Sequence, residues 1–119
     1  MRLTDAQQER YSRHLLLDHL GGEGQERLLS ACVRVRGTGR TVRWAARYLA
    51  ASGVGTVVLE DAAAAAECRA LSPDVRVLPP DELRRTPDVD LDPGRDSAHR
   101  PAEAGTAAAL RAVRELTRP

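Results

Sequence analysis

Cys32-Val33-Arg34-Val35-Arg36-Gly37-Thr38-Gly39-Arg40-Thr41-Val42 decides how this chain folds. Residues 32–36 alternate with period two, the pattern of a strand. Gly37-Thr38-Gly39 breaks the alternation. Val42, Ala45, Ala46 and Leu49 then recur at i, i+3, i+4 and i+7, one face of a helix. Gly53 stands where a left-handed helix C-cap belongs. Thr56-Val57-Val58-Leu59 is a short apolar run of the kind buried on both faces of a parallel sheet. Strand, glycine turn, helix and strand together make a right-handed βαβ unit.

Outward from this unit the chain is simpler. On the N-terminal side, Thr4-Asp5-Ala6-Gln7 is a capping box that opens a helix running to about Leu17. Gly21-Gly22 is expected to end it, and Gly24 to Leu29 reads as a second, short helix. On the C-terminal side, Ala62 to Leu71 reads as an alanine-rich helix. Val75 to Leu78 reads as a third strand that Pro79-Pro80 stops. Residues 79–101 are rich in Pro, Asp and Arg and read as a loop or linker, with a vestigial strand at Val89-Asp90-Leu91. Ala102 to Leu116 is a last helix, with Ala109, Val113 and Leu116 on one stripe. The expected organisation is an N-terminal helical arm (1–30), a Rossmann-like βαβ core (31–78), a loop or linker (79–101) and a C-terminal helix (102–119). The fold class is α/β, a truncated Rossmann-like domain whose short, mostly parallel sheet is flanked by helices.

The 119 residues allow one small domain with a modest core. All 18 basic residues are Arg, and the chain has no Lys, Ile, Asn or Phe. Schiff-base chemistry and a Walker-type phosphate lysine are therefore excluded. A net charge of +1 and 3% aromatics argue against a nucleic-acid partner. No apolar run approaches the roughly 18 residues of a membrane span. The N-terminus lacks the apolar core of a signal peptide, so a cytoplasmic location and no membrane partner are expected. Cys32 and Cys68 cannot build a zinc site of four thiolates, and a reduced pair is the expectation. His14, His19 and His99 have no metal-ligand spacing and read as surface or packing residues.

Three features could carry chemistry. Gly37 and Gly39, between a strand and a helix, begin a phosphate-binding fingerprint, because glycines let backbone amides approach a phosphate. The full pattern wants a third glycine at position 42, where Val42 stands. The alternative is a plain strand-to-helix turn. Asp61 lies 22 residues after Gly39, where a Rossmann site places the carboxylate that accepts from a ribose hydroxyl. Asp61 is equally a good helix N-cap, and the two roles are compatible. Arg34 and Arg36 point to one face of the first strand. An unpaired buried guanidinium costs several kcal/mol, so that face is uncovered or the arginines meet carboxylates or an anion. A half-exposed strand is the plainer reading.

Leu3-Thr4-Asp5, Arg10-Tyr11-Ser12-Arg13-His14-Leu15, Gly24-Gln25-Glu26-Arg27-Leu28, Gly37-Thr38-Gly39, Tyr48-Leu49-Ala50, Gly53-Val54-Gly55 and Asp61 follow one another in order. In this order they resemble the N-terminal half of the ThiF/MoeB/HesA adenylyltransferases, bacterial relatives of ubiquitin-activating enzymes. Arg69 to Val77 resembles the family's next helix-to-strand segment. Asp88 to Asp96-Ser97 faintly resembles the strand and acidic pair that follow, and Gly105 to Leu116 a later helix. The resemblance implies a dimer that binds ATP and magnesium and adenylates the C-terminal glycine of a ubiquitin-like or sulfur-carrier protein. By the same resemblance, Gly37 and Gly39 would face the ATP phosphates and Asp61 would hold the ribose. Arg13 would reach in trans into a partner's ATP site, and Asp96 would bind magnesium.

The departures matter as much. The family loop reads roughly G-x-G-G-L-G, and here Arg40 and Val42 replace two of its positions. A left-handed Arg40 would cost about 1–2 kcal/mol. The segment after the ribose aspartate is replaced by Ala62 to Ala66. The ATP-contacting lysine, the paired C-x-x-C zinc motifs and the catalytic cysteine loop are missing, so no zinc is expected. The resulting expectation is a degenerate member acting as a non-catalytic partner subunit, in a homodimer or a heterodimer with a full-length homologue. A residual ATP-binding adenylyltransferase and a poorly folding gene remnant are the alternatives.

Overall fold

The computed structural model describes residues 21–93 and 100–118. The expected first helix up to Leu17, together with Arg13, Asp96 and all three histidines, lies outside the described residues. The elements are α1 (Gly21–Ser30), β1 (Cys32–Val35), α2 (Arg40–Ser52), β2 (Thr56–Leu59), α3 (Ala62–Leu71), β3 (Arg76–Leu78), β4 (Val89–Leu91) and α4 (Pro101–Thr117), with a 3-10 turn at Pro80–Glu82. Gly21-Gly22 do not end a helix. Both lie within the helical stretch Gly21–Ser30.

The four strands are all parallel, in the order β3-β2-β1-β4. β4 follows β3 in sequence but pairs on the far side of β1, with Arg34 opposite Asp90. The strand order therefore reverses between β1 and β4. In open parallel sheets, ligands sit outside the carboxyl ends of the strands at such a switch point.

One face of the sheet makes the core. Val33, Val35, Val57, Leu59 and Val77 join Ala45, Ala46 and Leu49 of α2, Ala64 and Cys68 of α3, and Ala109 and Val113 of α4 in a single buried cluster. Side chains alternate across a strand, so Cys32, Arg34 and Val58 fall on the opposite face. There the segment after β3 shares a cavity of about 270 Å³ with Cys32, Thr56 and Arg76.

α2 is the central helix of the core layer and contacts both α3 and α4. It ends as the sequence requires. Gly53 is left-handed at φ 97°; its amide donates to the Ala50 carbonyl, and that of Val54 to Leu49. This is the Schellman arrangement, closed by the buried pair Leu49 and Val54. α4 reaches α2 through Gly105. A Cβ there would lie 2.4 Å from the Thr41 carbonyl oxygen and 2.8 Å from the Ala45 nitrogen, so the two backbones touch directly.

α1 closes the amino ends of the strands. The amides of Gly55 and Thr56 donate to the carbonyls of Leu28 and Ala31. The buried Gln25 side-chain amide donates to the Ser52 carbonyl at 2.8 Å. No helix among the described residues is long and apolar enough to cross a membrane.

Candidate nucleotide-binding loop

β1 delivers the chain to Gly37 and Gly39 at its carboxyl end, beside the switch point. Both glycines have positive φ, 92° and 113°. Gly39 combines φ 113° with ψ −172°, a region essentially closed to residues with a Cβ. A Cβ at Gly39 would meet nothing within 4 Å, so the backbone there is open to a close approach. The glycine demand of the turn therefore falls on the two positions that are glycine.

Arg40 and Val42 are helical. Arg40 is the first residue of α2 and needs no left-handed conformation, so the cost of 1–2 kcal/mol contemplated for it does not arise. Val42 is 3% exposed and packs into the core, its Cγ2 3.7 Å from where a Gly37 Cβ would stand. That is ordinary van der Waals spacing, so the branched residue is accommodated without crowding the turn.

Asp61, at the end of β2, ties the turn to α3. Its Oδ1 accepts the Ala64 amide at 2.9 Å, the N-cap bond of that helix. Its Oδ2 accepts the Gly39 amide at 2.8 Å. Burial by itself would raise the Asp61 pKa. Hydrogen bonds from the amides of Ala64, Gly39 and Ala63, with the nearby Arg43, outweigh burial and hold it below the ordinary carboxylate value. Asp61 is thus a fixed anion that orients the loop.

Sequence reasoning missed a second tie beside it. Glu67 of α3 pairs with Arg43, and lies 3.8 Å from Arg47, both of α2. The signal was present as arginines at 40, 43 and 47, spaced along one helix face.

The remaining candidates are placed plainly. Arg36 lies just past β1 and makes a two-pronged pair with Asp90, both contacts at 2.8 Å. That bond, above all, holds the Asp90 carboxyl below its ordinary value. Arg34 is partly buried, and its Nε has no hydrogen-bond partner among the described residues. Cys32 and Cys68 are free and buried. Burial, reinforced by Glu67, pushes the Cys68 thiol up to about 11. No group of three or more metal-ligating side chains occurs among the described residues.

A parallel sheet, a glycine turn at the switch point and a carboxylate closing the second strand define a Rossmann-like domain of the nucleotide-binding type. Residues 11–77 match the model of the ThiF family, and the chain belongs to that family. Over 59 residues it is 51% identical to a SAMP-activating enzyme of Haloferax volcanii and 46% identical to the sulfur carrier protein ThiS adenylyltransferase of Escherichia coli. Each match covers 50% of this chain, but only 22% and 24% of those proteins. The fold is shared with Escherichia coli tRNA threonylcarbamoyladenosine dehydratase, TcdA, in a crystal structure with ATP. The TM-score is 0.67 at 20% identity, covering 94% of this chain and 59% of that one.

Proposed function

We propose that this chain is a ThiF-type domain that serves as a non-catalytic partner subunit of a full-length adenylyltransferase acting on a ubiquitin-like or sulfur-carrier protein. The observation that carries it is an imbalance. The strand, glycine turn and carboxylate are kept, while the sequence has no lysine to meet a phosphate. Losing an oriented phosphate donor removes a few kcal/mol of transition-state stabilisation. The arm that carries Arg13, within the stretch matched to the family, is the part a partner's ATP site would use. The test is ATP–pyrophosphate exchange by the full-length homologue mixed with this chain. The expected result is stimulation that Arg13→Ala abolishes; unchanged exchange with that variant rejects the reading.

A second reading, in which the chain itself holds ATP, is favoured by the geometry at Gly39. Its open backbone and the α2 amino end fit a phosphate group. Asp61 accepts the Gly39 and Ala64 amides and keeps acceptor capacity for a ribose hydroxyl. Magnesium would fall to Asp96 in this reading. Calorimetry with Mg-ATP separates the two: saturable one-to-one heat supports retained binding, and a flat titration at millimolar nucleotide rejects it.

A further inference from the structure

The side of α2 that faces away from the sheet runs from Arg40, beside the glycine turn, to Trp44, Arg47 and Tyr48, with Leu71 of α3 alongside, and neither reading uses these last four. Arg40, Arg43, Trp44 and Arg47 line one cavity of about 300 Å³. Trp44, Arg47, Tyr48 and Leu71 line an adjoining one of about 270 Å³. Trp44 is the chain's one tryptophan and is 39% exposed; Leu71 is 54% exposed. The Arg47 guanidinium lies 4.7 Å from the Trp44 ring centroid, which keeps that ring in place. Tyr48 packs against the core beneath it. Trp, Tyr and Arg are the residue types that dominate binding hot spots, and here they are consecutive on one face.

Charge selects the occupant. Glu67 is the one carboxylate lining these two cavities, and it faces Arg43 and Arg47. Arg40 meets no carboxylate among the described residues. The face therefore keeps a positive excess around an apolar centre. A second copy, related by a two-fold axis, would bring the same arginines against each other. An acidic partner answers both features at once.

We propose that the outer face of α2 is a docking site for an acidic segment of a protein partner. The segment lays an apolar side chain against Trp44 and Leu71 and sets carboxylates against Arg40, Arg43 and Arg47. The surface adjoins the glycine turn only at Arg40, and its apolar centre at Trp44 and Leu71 lies further along α2 and on α3.

Trp44 reports directly on its own face. The emission of the intact chain is titrated with a synthetic capped peptide of four Glu residues flanking one Leu. The same titration is run with its Lys counterpart and with inorganic pyrophosphate. The expected result is a saturable blue shift with the acidic peptide alone, half-complete below about 1 mM. The shift should weaken at high salt and weaken about tenfold or more in Arg40→Glu or Leu71→Ala, two substitutions at exposed positions. Equal responses to both peptides, a response to pyrophosphate instead, or no shift at all overturns the proposal. So does self-association by sedimentation that Trp44→Ala abolishes. Should either variant fail to fold, the peptide comparison on the unaltered chain still decides.

Discussion

The Gly39 amide donates to Asp61 Oδ2 at 2.8 Å, while Oδ1 of the same carboxylate caps α3 at Ala64. One side chain thereby fixes both the glycine turn and the helix that follows the second strand. Any ligand of the turn meets a loop that is already ordered, which lowers the entropy lost on binding.

Removing that carboxylate should cost more than a surface aspartate normally does. Asp61→Ala leaves two backbone amides without their acceptor, and we expect a loss of about 1–3 kcal/mol. For a domain this small, that is a fall in Tm of roughly 4–8 °C per kcal/mol. Thermal unfolding followed by circular dichroism checks it. A Tm unchanged from that of the parent chain would show that water replaces the carboxylate.

The same bond makes stability depend on pH. The Asp61 pKa is lower folded than unfolded, so the unfolded chain takes up the proton first as pH falls. The contribution is complete above roughly pH 5, beyond the unfolded value of about 3.9, and is lost as pH falls through the folded value. Urea midpoints of the parent chain and of Asp61→Ala should differ most near neutrality and converge in acid. A gap that stays constant down to pH 2 would contradict the assignment.

Gly39→Ala separates shape from occupancy. Nothing obstructs the added methyl, but φ 113° strains it by about 1–3 kcal/mol. The chain should still fold, with a lowered urea midpoint. If it binds Mg-ATP, calorimetry should show the affinity of this variant falling, because the turn relaxes away from its open form.

Gly105→Ala tests the α2–α4 contact. Its Cβ would lie 2.4 Å from the Thr41 carbonyl oxygen, so the helices must separate. Overpacking of this kind costs about 1–3 kcal/mol. The expected sign is opposite to that of an ordinary helical Gly→Ala change, which stabilises by about 1 kcal/mol. Chemical denaturation of the two chains side by side decides the sign.

Cys68 should behave as a gauge of unfolding. It is fully buried and its thiol is pushed up to about 11, so it stays protonated at pH 8. Reaction with Ellman's reagent should follow the opening of the core, and accelerate in Gly105→Ala. Immediate modification of both cysteines in the native chain would place them outside the core.

What the sequence determined by itself was local. The period of two in residues 32–35, the helical spacing of Val42, Ala45, Ala46 and Leu49, Gly53 at the cap and Asp61 before the alanines each act within a few residues. Backbone sterics and side-chain alternation set them whatever the rest of the chain does. Gly21-Gly22 misled because a pair of glycines lowers helix propensity without excluding a helix, and here both are helical. Only the tertiary structure decided that β4 pairs beside β1, since three residues of strand acquire their identity from the ladder they join. Only it showed that Arg40 is helical and that the glycine demand rests on Gly37 and Gly39. The bond between Gly39 and Asp61 spans 22 residues, and the Gly105 contact with Thr41 joins opposite halves of the chain. Such contacts depend on how elements pack, and no local pattern of residues specifies that distance or direction.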